Sequence, residues 1–245
     1  MINTYFDNID SDAKAYIVGF FLGDGHLASI EHHDYGIVFA QNTDNRCVLD
    51  FIKDEIQAES EVKEVNCPSG YKDNTKTCYL RITDKTLHKS LSELTNCTNR
   101  KTFEDYRLPN IPEEFIPGLI RGYFDSDGCI SVTGRIDRTR KRKDGSIYEK
   151  KVMDCKWYIC GKNKYILLDI QEWFNKHDIH VKLKYDSKKD FYYLQTCTKQ
   201  EICKIYDLLY TNKSFALSRK EQKYALVKLT PSKFWELKNS ELCNA

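Results

Sequence analysis

The sequence predicts an α+β fold made of two pseudo-symmetric halves, each with the element order α-β-β-α-β-β-α. Three observations predict it: a nine-residue motif occurs twice, the hydrophobic patterns after each copy run in the same order, and a proline-rich segment separates the copies. Only two copies exist and each spans about a hundred residues, which excludes a long solenoid.

The repeated motif reads IVGFFLGDG at residues 17–25 and IRGYFDSDG at residues 120–128. Asp24 and Asp127 are therefore equivalent, and the second copy carries a further acid at Asp125. Each motif has the pattern of a helix that ends in negative charge, although unpaired carbonyls at a helix C-terminus disfavour such charge. A bound metal ion would explain this placement.

The segments after the motifs have matching patterns. Alternation of apolar and polar residues predicts β-hairpins, and the turns fall at Ser69-Gly70, Asp144-Gly145 and residues 186–190. In each half the predicted order after the motif is hairpin, helix, hairpin and helix. In the first half these elements span residues 26–41, 45–56, 62–83 and 85–95. In the second half they span residues 129–160, 163–177, 181–197 and 199–210.

The connector at residues 103–117 contains Pro109, Pro112 and Pro117, three of the five prolines. We therefore expect an N-terminal half-domain at residues 1–108 and a C-terminal half-domain at residues 109–245.

Small residues four positions apart form a stripe on each motif helix, Gly19 and Gly23 on the first and Gly122 and Ser126 on the second. Glycine inside a helix costs up to about 1 kcal/mol relative to alanine, so the stripes indicate close packing of the two helices. The aromatic neighbours are expected to fill the flanking cores: Phe20, Phe21, Tyr123 and Phe124.

Parallel packing of the motif helices would bring their C-terminal ends together. Gly25 and Gly128 are predicted as left-handed helix caps, and Asp24 and Asp127 become neighbours. Two carboxylates at two helix C-termini repel each other unless a cation binds there, and oxygen ligands of this kind suit Mg²⁺ rather than zinc.

Composition favours a folded intracellular protein. Hydrophobic residues make up 41% of the 245 residues, and no uninterrupted apolar stretch approaches the roughly 18 residues of a membrane span. The first residues lack the pattern of a signal peptide, and the ten cysteines form no C-x-x-C pair. We expect a reducing compartment, either cytoplasm and nucleoid or an organellar matrix.

Positive charge is concentrated in one segment. The net charge of the chain is only +2, but residues 135–164 contain eleven Lys and Arg against four Asp and Glu. Such a segment is typical of a surface that contacts phosphates.

With two motifs at this separation, each followed by β-β-α-β-β-α, the chain resembles the LAGLIDADG (DOD-type) homing endonucleases in their single-chain, two-motif form. The resemblance covers nearly the whole chain. It implies paired motif helices between the halves, a curved antiparallel DNA-binding sheet in each half, and a functional monomer. The implied activity is Mg²⁺-dependent hydrolysis of both strands of a long asymmetric double-stranded DNA site, with Mn²⁺ or Ca²⁺ able to substitute for binding.

The resemblance also implies roles for individual residues. Asp24 and Asp127 are implied metal ligands, and the residues before them, Gly23 and Ser126, belong to the same metal site. Gln41, at the end of the second strand, would orient water. The corresponding place in the second half falls at Cys160 or Gly161, so the two active sites are expected to differ chemically.

Each half is also expected to contribute a lysine after its last helix. The Arg-Lys pairs at residues 100–101 and 219–220 offer Lys101 and Lys220, which would stabilise charge at the phosphate.

The strands expected to face DNA lie within residues 27–40, 62–83, 130–160 and 181–197. The side chains assigned to DNA contact are Arg81, Arg135, Arg138, Arg140, Lys141, Arg142, Lys143, Lys151, Lys156, Lys162, Lys182, Lys184 and Tyr192.

Three alternatives remain open at this point. An RNA maturase of the same fold would bind intron RNA, and a DNA-binding regulator would have lost cleavage; the presence of both Asp24 and Asp127 argues against a purely non-catalytic role. A nuclease embedded in an intein is disfavoured by Met1 and by the absence of Cys or Ser at the start and of His-Asn at the end.

Overall fold

A computed structural model describes residues 4–69, 72–101, 105–139 and 141–239. Its helices are α1 (Asp12–Asp24), α2 (Arg46–Ile56), α3 (Lys85–Thr95), α4 (Ile116–Asp127), α5 (Lys164–Lys176), α6 (Lys199–Tyr210), α7 (Ser218–Lys228) and α8 (Pro231–Asn239). Its strands are β1 (Gly25–Leu27), β2 (Gly36–Asn42), β3 (Lys63–Ser69), β4 (Lys72–Thr83), β5 (Gly128–Asp137), β6 (Lys150–Gly161), β7 (Lys182–Asp186) and β8 (Phe191–Thr196).

The two halves have the same topology. Each contains a four-stranded antiparallel sheet, in the order β1-β2-β4-β3 in the first half and β5-β6-β8-β7 in the second. The predicted α+β fold with two α-β-β-α-β-β-α halves is confirmed. The half-domain boundary between residues 108 and 109 stays a prediction.

Helices cover one face of each sheet and bury the apolar side of its strands. Phe39 and Leu80 in the first sheet and Trp157, Ile159 and Leu194 in the second are inaccessible to solvent. Because side chains alternate along a strand, the residues between these point to the opposite face of each sheet. We call it the open face.

Helix α1 lies between the two halves. Its residues 15–22 are all buried, as expected for a helix that is apolar on every side. The Ser11 side chain accepts a hydrogen bond from the Lys14 backbone N–H at 3.3 Å and so caps the helix start.

The small-residue stripes bring α1 and α4 into backbone contact. A Cβ added at Gly19 would overlap the Leu119 carbonyl oxygen, and one at Gly122 would overlap the Tyr16 carbonyl oxygen. At Gly23 an added Cβ would overlap the side chain of Ser126. The predicted close packing of the motif helices is therefore confirmed, and it requires glycine at these positions.

The prediction of left-handed caps at Gly25 and Gly128 is wrong. Their φ values are −89° and −96°, in the extended region, and each residue begins the strand that follows its helix. Glycine is needed there for space rather than for positive φ, because a Cβ would crowd the side chains and carbonyl oxygens of Phe21 and Phe124.

The opposite end of the helix pair is fixed by a buried ion pair. Arg121 of α4 has no solvent exposure and donates to Asp12 of α1. It also donates to the Phe215 carbonyl at 2.8 Å, and Asp12 accepts the Ser214 N–H at 2.7 Å. These contacts hold the segment before α7 against the helix pair.

Helices α7 and α8 were not predicted. Tyr224 of α7 is buried and accepts a hydrogen bond from Trp157 Nε1 at 2.7 Å. Trp235 of α8 donates to the Val152 carbonyl at 3.3 Å, and a Cβ on Gly134 would lie 2.8 Å from its ring. Both helices therefore pack against the long β5–β6 hairpin.

The turn prediction at Asp144-Gly145 is confirmed, since Gly145 has a φ of 83° and Ser146 donates to the Asp144 carboxylate. Gly70 of the predicted Ser69-Gly70 turn lies outside the described residues. Within the described ranges, no helix is both long and apolar enough to cross a membrane.

Candidate active site

Asp24 and Asp127 lie together at the C-terminal ends of α1 and α4. Burial, and after it the charge of Asp24, raises the pKa of Asp127 to about 7. Burial also raises the pKa of Asp24, although Lys101, Lys220 and a hydrogen bond from Gln41 oppose the shift. The pair is therefore a site where added positive charge would be stabilised.

Lys101 and Lys220 neutralise the two helix ends. The Lys101 ammonium donates to the carbonyl oxygens of Phe21, Leu22 and Gly23 at 2.7, 3.0 and 2.9 Å. Unpaired carbonyls at the last turn of a helix attract cations.

The Lys220 ammonium makes the matching contacts in the second half, donating to the carbonyl oxygens of Phe124 and Asp125, the latter at 2.9 Å. Both lysines are almost fully buried, and burial lowers the pKa of each to about 8. The two lysines, which are equivalent in the sequence, therefore make equivalent contacts in the structure. Lys220 lies in α7 rather than in a loop.

The end of the second strand differs between the halves. Gln41, near the end of β2, donates its side-chain N–H to the Asp24 carboxylate. The strand ladders pair Gly25 with Phe39 and Gly128 with Ile159, so Gly161 takes the position of Gln41. The alternative of Cys160 is thereby set aside, and the second half has no side chain at this point.

Asp125 has a different role from Asp127. Its carboxylate is buried and accepts hydrogen bonds from the Tyr16 hydroxyl and the Leu217 N–H, both at 2.9 Å. It thus joins both motif helices to the start of α7. The motif pattern could have indicated this, because Asp125 aligns with the buried Leu22 of α1.

The donor set at the paired helix ends fits a divalent cation that prefers oxygen. The Asp127 carboxylate would lie 3.1 Å from a Cβ on Gly23, the residue before Asp24, and burial raises the pKa of both acids. The Gly23 carbonyl already accepts from Lys101, and the Ser126 hydroxyl donates to the Tyr123 carbonyl at 2.8 Å.

Among the described residues, no group of three or more His, Cys, Asp or Glu could hold a metal. Asp24 and Asp127 would therefore need further oxygens from water and from a phosphate, which is usual for Mg²⁺ sites.

The open face of the second sheet is basic and aromatic. Trp157 and Ile159 face the core, so alternation places Lys156 and Tyr158 on the open face. Together with β7 and β8, these side chains line a groove of about 520 Å³. The strand register adds the following residues to this face: Arg135, Lys182, Lys184, Tyr193 and Gln195.

Two side chains assigned to DNA contact lie on the helix side of the second sheet and not on its open face. Lys151 shares the helix side with Trp157, and its Nζ lies 5.5 Å from the Trp235 ring centre. Tyr192 pairs with Gly161 and packs against the core, so Tyr193 occupies the open face instead. Both placements follow from the two-residue period of a strand.

Three of the predicted arginines form ion pairs on the surface. The pairs are Arg81 with Asp34 at 2.5 Å, Arg135 with Asp154 at 2.5 Å and Arg138 with Glu149 at 2.8 Å. Exposed pairs of this kind contribute at most about 1 kcal/mol, so a phosphate could replace the carboxylate at little cost.

The other predicted basic residues are exposed at or beyond the ends of β5 and β6. Lys141, Arg142 and Lys143 lie at the tip of the hairpin, and Lys162 follows β6. Arg140 lies outside the described residues.

Comparison with solved structures identifies the fold. The chain superposes on mesophilic variants of the homing endonuclease I-DmoI with a TM-score of 0.53 and 18% identity. The superposition covers 84% of this chain and 96% of the I-DmoI chain. The LAGLIDADG homing endonuclease I-LtrWI bound to its target DNA gives a TM-score of 0.57 at 13% identity, covering 98% of this chain and 92% of that one. The chain has the LAGLIDADG homing endonuclease fold.

The meganuclease I-SmaMI bound to uncleavable DNA gives the same TM-score of 0.57, at 12% identity over 91% of this chain and 95% of its own. No protein-family model and no curated protein sequence matches the chain. The LAGLIDADG fold is therefore established from structure, and function must be argued from the site.

Proposed function

We propose that this protein is a site-specific endonuclease that uses a divalent metal ion to cut both strands of a long, asymmetric double-stranded DNA site. One observation carries the proposal: Asp24 and Asp127 lie close together where two helices end, and each helix end holds a buried lysine. A concentrated negative site beside fixed positive charge suits metal-assisted hydrolysis of a phosphodiester.

The structural neighbours support the same chemistry. I-DmoI has been solved in complex with DNA and Mn, with a TM-score of 0.51 to this chain. A variant of I-DmoI has been solved with its target DNA in the presence of Mg. We take Mg²⁺ as the expected ion here because its preferred ligands are carboxylate and phosphate oxygens.

Asp24 and Asp127 would hold the metal. When bound, a divalent ion of this kind lowers the pKa of a water molecule and stabilises charge on the leaving oxygen. Gln41, whose amide is fixed beside Asp24, would orient water near the phosphate of one strand.

Lys101 and Lys220 would act through their charge. The Lys101 ammonium donates its three N–H groups to three carbonyl oxygens. In this arrangement it therefore has no further donor for a phosphate. A buried ammonium close to the reacting phosphate still stabilises negative charge that develops there, because the surroundings screen it weakly.

The two open faces would bind DNA. The β5–β6 hairpin is much longer than β1–β2, and residues 128–161 contain nine Lys and Arg whereas residues 25–42 contain none. The two halves would therefore contact unlike stretches of a target. This favours an asymmetric site read by a monomer, in whichever intracellular compartment holds that DNA.

The experiment is cleavage of a randomised duplex-DNA library with Mg²⁺, followed by sequencing of the new ends. Asp24→Asn and Asp127→Asn are the test variants, and Lys89→Met on the exposed surface of α3 is the control. We expect cutting at one long motif by wild type and control, and none by either Asn variant.

Binding without cutting would contradict the nuclease. If wild type bound the selected duplex with both acids intact and left it uncut, a non-cleaving DNA-binding protein would replace this proposal. Preferential binding to structured intron RNA would favour the maturase alternative.

A further inference from the structure

We propose that Asn45 and Arg219 are positioning residues that fix the side chain of Gln41 beside Asp24. One of the two active sites would then depend on a residue supplied by the other half of the molecule. The catalytic part of this inference rests on the proposed endonuclease function, whereas its geometric part can be tested without cleavage.

A continuous chain of hydrogen bonds supports the proposal. Arg219 Nε donates to Asn45 Oδ1 at 2.8 Å. Asn45 Nδ2 donates to Gln41 Oε1 at 2.9 Å, and Gln41 Nε2 donates to an Asp24 carboxylate oxygen. The chain thus runs from helix α7 of the second half to the acid of the first half.

The direction of this chain is fixed at both ends. A guanidinium can only donate, and an ionised carboxylate can only accept. Each amide in between must therefore present its oxygen towards Arg219 and its NH₂ towards Asp24. The Asn42 backbone N–H, 3.2 Å from Gln41 Oε1, imposes the same orientation on Gln41. Without Asn45, Gln41 Oε1 would keep the Asn42 N–H contact at 3.2 Å and lose the shorter one at 2.9 Å, so its amide would be held less firmly.

The side chain of Asn45 is buried and is not used to cap helix α2. It is 6% exposed, and although it is the residue before α2, its side chain makes no capping hydrogen bond to the helix. A buried amide is stabilised only when its polar atoms are paired, and here Arg219 and Gln41 are the partners.

The second half does not repeat the arrangement. Gly161 takes the place of Gln41, and Asn163, the residue before α5, donates its side-chain N–H to the Tyr106 carbonyl at 2.8 Å. Its Oδ1 accepts from the Tyr165 N–H at 2.8 Å, so this residue caps α5 and binds the connector between the halves. The two halves share the acid and the lysine, and only the first has an oriented amide.

Helix α7 connects the two sites through adjacent residues. Lys220 binds the carbonyls at the end of α4, and Arg219 reaches across to Asn45. Because Leu217 is held by Asp125 through its backbone N–H at 2.9 Å, the start of α7 is anchored on the helix pair. The position of Arg219 therefore depends on the positions of both motif helices.

The first test is NMR of the metal-free, DNA-free protein with ¹⁵N-labelled glutamine. The Gln41 NH₂ signals are assigned by their absence in Gln41→Ala. Asn45→Asp keeps the size of the side chain and the acceptor for Arg219 but removes the donor to Gln41. We expect it to shift the Gln41 signals and speed their exchange with water, and we expect Arg219→Met to do the same.

The matched control is Asn163→Asp, the same change at the equivalent position of the other half. It should leave the Gln41 signals in place. Unchanged Gln41 signals in both Asn45→Asp and Arg219→Met would overturn the proposal, as would equal shifts in the control.

The second test follows each strand of the selected duplex in single-turnover cleavage with Mg²⁺. Asn45→Asp and Gln41→Ala should slow the same strand by roughly 10- to 100-fold, the range seen when residues that orient a metal site are removed. The other strand should be cut at the wild-type rate, so nicked DNA accumulates. The double variant should be no slower than Gln41→Ala alone, because the residues act in series.

The outcomes separate the two proposals. Equal slowing of both strands would indicate a general loss of structure and would contradict a positioning role. If wild-type protein cuts neither strand of any duplex, the proposed function fails, and the amide signals still decide whether Asn45 and Arg219 orient Gln41.

Discussion

Lys101 and Lys220 make the same contact in the two halves of the molecule. Each places a buried ammonium on the carbonyl oxygens of the last turn of its motif helix, and each lies over the ring of the equivalent phenylalanine, at 5.1 Å from Phe21 and 4.5 Å from Phe124. The positive charge opposes both the helix dipole and the acid that follows. The two acids can therefore be held close together in a folded protein.

Replacing either lysine should reduce cleavage more than binding. Lys101→Met and Lys220→Met each remove a charge that, under the proposed function, would stabilise the reacting phosphate, and both leave the open faces unchanged. We expect a loss on the order of 100-fold in the single-turnover rate, with the Kd for the target duplex little changed. The control is Lys89→Met, which should cut at the wild-type rate. A large rise in Kd with an unchanged rate would contradict the electrostatic role.

Asp127→Asn should stabilise the metal-free protein at neutral and alkaline pH. The folded-state pKa is raised from 3.8 to about 7, so the protonated form is favoured by folding. Its contribution to stability is complete below pH 3.8 and is lost as the pH rises to about 7. The side chain of the variant stays neutral, so the free energy of unfolding of the variant should exceed that of wild type increasingly across this pH window. The difference should be a few kcal/mol at pH 8 at most.

Urea unfolding of both proteins between pH 5 and pH 8, in the presence of a chelator, measures this difference. Adding Ca²⁺ with the target duplex should stabilise wild type more than the variant, because the variant lacks one carboxylate for the ion. A constant difference at all pH values would show that Asp127 does not titrate in this range.

Alanine at Gly19 or Gly122 should separate the motif helices. The added Cβ would overlap a backbone carbonyl of the opposite helix, and backbone cannot move aside as a side chain can. We expect a loss of more than about 3 kcal/mol in the free energy of unfolding, at or above the upper end for overpacked cores. Gly145→Asn is the control, since nothing lies within 4 Å of a Cβ there and asparagine tolerates its positive φ.

The open face should account for the salt dependence of DNA binding. Lys156→Ala and Lys184→Ala would each remove one proposed phosphate contact, so each should lower the slope of log Kd against log salt concentration by about one. Lys151→Ala is matched in type and strand but lies on the helix side beside Trp235, and it should leave the slope nearly unchanged. An equal effect of all three would contradict the assignment of the open face.

The repeated motif was enough to predict the architecture, because a nine-residue pattern with glycine at helical spacing indicates both a helix and its partner. Lys151 and Tyr192 could have been assigned correctly from the same sequence. The buried alternation of Cys155, Trp157 and Ile159 already places residue 151 on their side of β6.

Other features depend on tertiary contacts that no local pattern reveals. Gly25 and Gly128 look like caps, and only the crowding by Phe21 and Phe124 shows why glycine is required. Arg219 lies 174 positions from Asn45, so their hydrogen bond becomes visible only when α7 is placed. Helix α7 itself has no strong amphipathic pattern, because it binds mainly through Lys220 and Tyr224.

The central claim is that Asp24 and Asp127 hold the metal ion that supports cleavage. Crystals of the protein with its selected duplex and Mn²⁺ test it most directly, by anomalous diffraction at the manganese edge. The account predicts anomalous density within coordination distance of a carboxylate oxygen of Asp24 or Asp127 and of the scissile phosphates, and its loss in the Asp24→Asn, Asp127→Asn double variant. Manganese bound elsewhere, with both carboxylates unliganded in a DNA-bound complex, would contradict it.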